Sequence, residues 1–351
     1  MPHTVYIGTY TNAGGKGVYR AELSAEGKLN LIDSTAAASP SYLIFSSDRK
    51  YIYAANEARE VDGTPGGAVT VFGIDADAVA RAGGESSVAG ALVKIASKPT
   101  GGGEPCHVLE HGGYLYASNY GAGTVSVFPL INGIPGDVEF THRHEGSGPD
   151  ERRQKGPHAH CAMSVPGSDV FCVIDLGIDQ ARFYRKDGRS LALVQALTFP
   201  GGAGPRHVVF SKDGRFGWVV TELSNEIYCI KYEAGWVITG KVSTLPSDFA
   251  GRSACAAIRL SPDEKLIAAS NRFHDSVACF DVDNAKGLLS PIGIYPVGGA
   301  TPRDINFSPD GKWLLSANQD SDSVTVLSMN DGFRLAEDAA ISVSRPTTIL
   351  F

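Results

Sequence analysis

Short apolar runs alternate with polar turns along almost the whole chain. In "GPRHVVFSKDGRFGWVVTELS" (residues 204–224), "HVVF" and "RFGWVV" are β-branched and aromatic. Between them, "SKDGR" supplies a tight turn with Gly214 where positive φ is needed. The pattern predicts an antiparallel hairpin. It recurs in "SPSYLIFSSDRKYIYAANE" from Ser39, "EPCHVLEHGGYLYASNYGAGTVSVF" from Glu104 and "GPHAHCAMSVPGSDVFCVIDLGIDQARFY" from Gly156. Two further copies are "SACAAIRLSPDEKLIAASNRFHDSVACFDV" from Ser253 and "TPRDINFSPDGKWLLSANQDSDSVTVL" from Thr301. Each reads as strand, turn, strand, polar turn, strand.

The polar residue closing each second strand marks the period: Asn56, Asn119, Asp175, Glu222, Asn271 and Asn318, spaced 47 to 63 residues apart. Repeats of several short strands at about that spacing predict an all-β fold, a β-propeller. Helical signals are nearly absent; only "DADAVARAGG", from Asp75, reads as a short helical turn or a loop. At the ends, "TVYIGTYT" reads as a second strand lacking a first, and "RPTTILF" as a first strand lacking a second. Joined, they make a seventh blade closed by the N- and C-terminal strands, which protects the sheet edges. One ring over residues 1–351 then forms a single domain.

In a propeller blade the first strand lines the central channel and the second runs back beside it. The start of the first and the end of the second therefore share one rim. Counting from each turn sets Arg206 near Glu222, His160 opposite Asp175, Arg272 opposite Cys255 and Arg303 opposite Asn318. His107, Tyr120, His158, His207 and Gln319 fall in the same zone. The opposite rim holds only turn residues. Cations, a carboxylate and imidazoles converging from several blades predict a functional site, where a lone pair such as Arg206 with Glu222 would read as a cross-strand salt bridge.

Composition narrows the partners. A net charge of -7 with no dense Lys/Arg stripe argues against nucleic acid or an anionic membrane surface. The start lacks a cationic and apolar leader, and no apolar run is long enough to span a bilayer, so a cytoplasmic protein is expected. Cysteines 106, 161, 172, 229, 255 and 279 include no CxxC pair and read as reduced core thiols.

Several of these motifs carry a resemblance. "GPRHVVFSKDGRFGWVVTEL", "PHAHCAMSVPGSDVFCVIDLGID", "PRDINFSPDGKWLLSANQ" and "YIGTYTNAGGKGVY" resemble the seven-bladed lactonase family. That family includes cycloisomerase-type 6-phosphogluconolactonases and 3-carboxymuconate cyclases. The resemblance covers essentially the whole chain and implies an active site of one His, two Arg and one Glu. By motif these are His160, Arg206, Arg272 and Glu222, with His158 two residues from His160 on the same rim face. "SVPGSD" in place of "SPDG" is a departure expected to shift His160 by one position. The long segment 132–155 is a candidate lid, and its Arg152, Arg153, Gln154 and Lys155 are within reach of an anionic group. Substrate contacts are accordingly expected from His158, His207, Arg303, Gln319, Arg153 and Lys155.

The implied reaction is hydrolysis of a sugar lactone, 6-phosphogluconolactone first, with His160 as general base and the arginines on substrate and oxyanion. A carboxymuconate cyclase would use the same cations for carboxylates, with His160 or Glu222 delivering the proton. A non-catalytic scaffold would need an aromatic rim, whereas Trp218, Trp236 and Trp313 lie in strand-like runs and read as core. A metal-dependent gluconolactonase would need the marker-column Asn56, Asn119, Asp175 and Asn271 as ligands, but such residues more often bond their own backbone. No cofactor or metal is expected.

Overall fold

In a computed structural model that describes residues 1–74, 90–336 and 340–351, the chain is all-β apart from one 3-10 turn at Gln319–Ser321. The "DADAVARAGG" stretch lies outside the described residues. Seven antiparallel sheets, five of four strands and two of five, form the blades, beside one small hairpin. Their inner strands are Pro40–Phe45, Pro105–His111, Ala159–Ser164, Pro205–Phe210, Ala254–Leu260, Pro302–Phe307 and Pro346–Leu350. Each touches the next in chain order, and Pro346–Leu350 touches Pro40–Phe45, which closes the ring. The seventh blade is stitched as expected: Pro346–Leu350 pairs with His3–Thr9, followed outward by Val18–Leu23 and Leu29–Thr35.

Local chemistry explains the repeated hairpin. In four blades a Ser hydroxyl bonds an Asp two residues on: Ser46 to Asp48, Ser211 to Asp213, Ser261 to Asp263 and Ser308 to Asp310, at 2.6–2.7 Å. The next residue takes positive φ, at Gly214 and Gly311 but also at Arg49 and Glu264. The side-chain bond thus supports a left-handed residue even where glycine is missing.

Between blades the apolar faces of adjacent sheets pack. Trp218 is fully buried and its indole N–H donates to the Gly287 carbonyl at 2.9 Å. Trp236 stacks on Phe183 with ring centres 5.1 Å apart. Trp313 is half-buried against the blade-six and blade-seven core. All six cysteines are buried and unbridged. Among the described residues no helix is long and apolar enough to cross a membrane.

The ladder register differs from simple counting in one systematic way. Pairing skips a residue in the inner strand, so Pro205 faces Thr221 and His207 faces Val220, with Arg206 between them. Ala159 rather than His160 faces Asp175, Pro302 rather than Arg303 faces Asn318, and Ala254 rather than Cys255 faces Arg272. The same bulge falls at Ser41, Cys106 and Thr347. The "SVPGSD" turn is therefore not the cause of the shift at His160. A bulge leaves one residue unpaired and re-aims its side chain. Here the re-aimed positions turn into the channel.

Removal of residues 346–351 should expose the edge of His3–Thr9 and delete buried Ile349. The expected outcome is a melting temperature lower by about 10 °C or more by circular dichroism. A melt within about 2 °C of the full chain would mean that the seventh blade does not depend on its terminal strand.

Candidate active site

Six of the bulge residues, Ser41, Cys106, His160, Arg206, Arg303 and Thr347, line one cavity at the channel mouth, together with Tyr42, Glu57, His207 and Asp304. Six similar bulges thus carry their side chains to one place. The rim residues Glu222 and Arg272 complete the cluster from the second strands of blades four and five.

Glu222 is the centre. Its Oε2 lies 3.1 Å from Arg206 Nε and 2.8 Å from Arg272 Nη2, and its Oε1 lies 2.6 Å from Arg153 Nη2. Arg206 and Arg272 are held from behind by blade five. Arg206 Nη1 donates to the Ala256 carbonyl at 2.7 Å, and Arg272 donates to the carbonyls of Ala254 and Cys255 at 3.3 and 3.2 Å. Three guanidiniums on one carboxylate leave two unbalanced positive charges. Burial alone would raise the Glu222 carboxyl, but Arg272, Arg206 and Arg153 outweigh it and hold it well below the usual carboxylate range. Burial and neighbouring Arg272 bring the Arg206 guanidinium down to about 10. Such crowding of cations suits an anionic ligand.

The imidazoles are neutral. Burial and Arg206 push His160 and His207 well below the ordinary range, and burial brings His107 down to about 3. Arg206 Nη1 donates to His207 Nε2 at 3.1 Å, which places the His207 proton on Nδ1. The His160 and His207 rings lie 5.2 Å apart, and the Nδ1 atoms of both, like Ser41 Oγ, are buried without a protein partner. Unpartnered buried polar groups around a cavity mark a place for ligand or water atoms.

The remaining expected residues separate clearly. His158 stacks on Tyr120 at 4.4 Å and donates from Nδ1 to the Tyr120 carbonyl at 2.8 Å, while Tyr120 meets His160 edge-on at 5.6 Å. His158 therefore supports the His160 wall and is separate from the cavity lining. Arg303 enters the cavity with a partner set that counting along the strands did not find: Arg303 Nη2 donates to Tyr10 at 2.5 Å, and Tyr10 donates to Glu57 at 2.7 Å. Gln319 turns instead to Asp320 at 3.0 Å, and Lys155 is exposed, with no polar partner among the described residues. Neither joins the cluster. Asn56, Asn119 and Asn271 donate to backbone carbonyls or to Ser and Thr hydroxyls of their own blades. Among the described residues no group of three or more His, Cys, Asp or Glu is placed to hold a metal.

Segment 132–155 is built into the fold. Phe140–Arg143 pairs with the third strand of blade two, and buried His144 bonds Asp175 at 2.6 Å. Asp175 also accepts the His158 and Gly177 N–H groups, and a Cβ on Gly177 would collide with the Gly156 carbonyl. That is the physical content of "DLG". The signals missed in the sequence were Glu57, Tyr10 and Asp179, each a polar residue one to four positions beyond a marker or strand end.

The three depressed imidazoles of the site, with the half-buried His142 that burial brings down to about 4, make stability depend on pH. A group that charges on protonation, and whose folded pKa is lowered, adds stability above its unfolded value near 6.5 and loses it below. Between pH 7.5 and 5.5, unfolding free energy from urea titration should fall by about 1.4 kcal/mol for each of the three site imidazoles, with a smaller further fall from His142. In His107→Gln the fall should be smaller by about that amount for one imidazole. Equal stability at the two pH values would contradict the neutral cluster.

Comparison with known proteins agrees with the seven-bladed fold. Residues 4–351 match the family described as lactonase, 7-bladed beta-propeller. A 6-phosphogluconolactonase of Bacillus subtilis is 30% identical over 356 residues, covering 99% of this chain and 97% of its own. The structure of a periplasmic gluconolactonase from Pseudomonas aeruginosa superposes with a TM-score of 0.88 at 26% identity, covering 100% of this chain and 99% of that one. A protein from Lactobacillus plantarum gives 0.85 at 27%, with 99% of each chain covered. The chain belongs to the lactonase family of seven-bladed β-propellers.

Proposed function

We propose that the chain hydrolyses a sugar lactone, 6-phosphogluconolactone to 6-phosphogluconate, with His160 as the general base. The observation that carries this reading is a neutral imidazole whose Nδ1 has no partner among the described residues, beside guanidiniums that exceed their carboxylate by two charges. Water attacks the lactone carbonyl as His160 removes its proton. The oxyanion that forms is held by Arg206 and Arg272, whose backs are fixed by strand carbonyls, so little reorganisation is needed. The ring C–O bond then breaks. The leaving alkoxide takes the proton from the imidazolium, which gives it up readily because its surroundings disfavour the charge.

Glu222 is a fixed counter-charge in this scheme. With three cations on it, it is a poor proton donor, which favours hydrolysis over a cyclase step that would deliver a proton to carbon from this residue. No step requires a metal or cofactor.

The test is 6-phosphogluconolactone opening above the spontaneous rate, in the presence of chelator, by wild type and His160→Gln. The variant should lose turnover by about 10²- to 10⁴-fold with KM little changed. Because the folded His160 pKa is depressed, the base stays free as pH falls through the ordinary imidazole range, and kcat/KM should hold from pH 7.5 to 5.5. Unchanged turnover in His160→Gln removes it from the mechanism.

A further inference from the structure

The three guanidiniums on Glu222 are unequal. Arg206 and Arg272 side chains are only 4% and 12% exposed, and blade five binds them from behind. Arg153 is 39% exposed and comes from the loop between blades two and three. Both of its hydrogen bonds leave from Nη2, to Glu222 at 2.6 Å and to the Tyr120 hydroxyl at 3.2 Å. Among the described residues, Nε–H and both Nη1–H groups have no hydrogen-bond partner.

The loop holds Arg153 firmly. Gln154 is fully buried, and its amide donates at 2.8 Å to the Leu176 carbonyl and to Asp179. Asp150 accepts the N–H groups of Arg152 and Arg153 at 2.8 and 3.0 Å. Asp179 also accepts the N–H groups of Gly202 and Gly204, directly before Pro205 and Arg206. One buried carboxylate thus sets the loop of Arg153 and the strand of Arg206 relative to each other.

We propose that Arg153 binds the anionic substituent of the substrate, the phosphate of a phosphorylated sugar lactone, and selects it over an unphosphorylated one. This rests on the lactonase reading above. A planar guanidinium with three unengaged donors matches the spaced oxygens of a phosphate. It is the most exposed of the three, so an arriving anion meets it first. Glu222 keeps Arg206 and Arg272 when Arg153 turns its donors to substrate, and those two remain on the reacting carbonyl.

Binding of the products tests this without turnover. Calorimetric titration of 6-phosphogluconate and of gluconate is made with wild type, Arg153→Met, Arg153→Gln and Arg153→Lys. Wild type should prefer the phosphorylated acid. Arg153→Met and Arg153→Gln should each lose about tenfold to hundredfold affinity for it, the scale of a charge-assisted contact. Gluconate affinity should stay within about threefold, and Arg153→Lys should recover part of the preference. Equal loss for both acids would make Arg153 structural and overturn the proposal, as would a wild type without preference. If wild type shows this Arg153-dependent binding yet opens no lactone, the lactonase reading falls and the anion site stands.

Discussion

One buried carboxylate organises this molecule's working end. Glu222 gathers Arg206 from its own blade, Arg272 from the next and Arg153 from a loop two blades back along the chain. Without it, three guanidiniums within one small space would repel each other and draw in water. With it, they form a fixed surface with positive charge in excess. A single paired arginine would only neutralise; in the proposed function the surplus is what an anionic substrate meets.

The fold serves that surplus by repetition. Six of the inner strands skip one residue at the same level, so each of those blades offers one side chain to the channel. The scaffold stays uniform while the offered residues vary: serine, cysteine, histidine, arginine and threonine. Chemistry is thereby concentrated where pairing is locally absent, and the ladders on either side keep those positions rigid. Burial does the rest, by keeping His160 and His207 neutral and Glu222 ionised.

Much of this was legible in the residues. Strand–turn–strand patterning marks the blades, and the unpaired strands at the two ends mark the closure. His160, Arg206, Glu222 and Arg272 are readable because each sits at a strand end where solvent-facing Ser or Thr would suffice. The bulge is not readable, since a one-residue skip leaves the alternation of apolar positions nearly intact. Counting therefore set His160 opposite Asp175, when Asp175 binds His144 and the His158 amide. Lys155 looked equivalent to Arg153 by position, and only the knot around Gln154 separates them; Gln319, expected on the rim, bonds Asp320 instead. Glu57 and Tyr10 escaped because they approach Arg303 from blades remote in sequence.

The most direct test of Glu222 as a counter-charge is the pH dependence of kcat/KM for 6-phosphogluconolactone in Glu222→Gln against wild type. Loss of a buried charge partner should lower activity by about a hundredfold at every pH between 5 and 8, with the profile's shape unchanged. A rate near wild type, or a profile that loses one limb, would contradict the account.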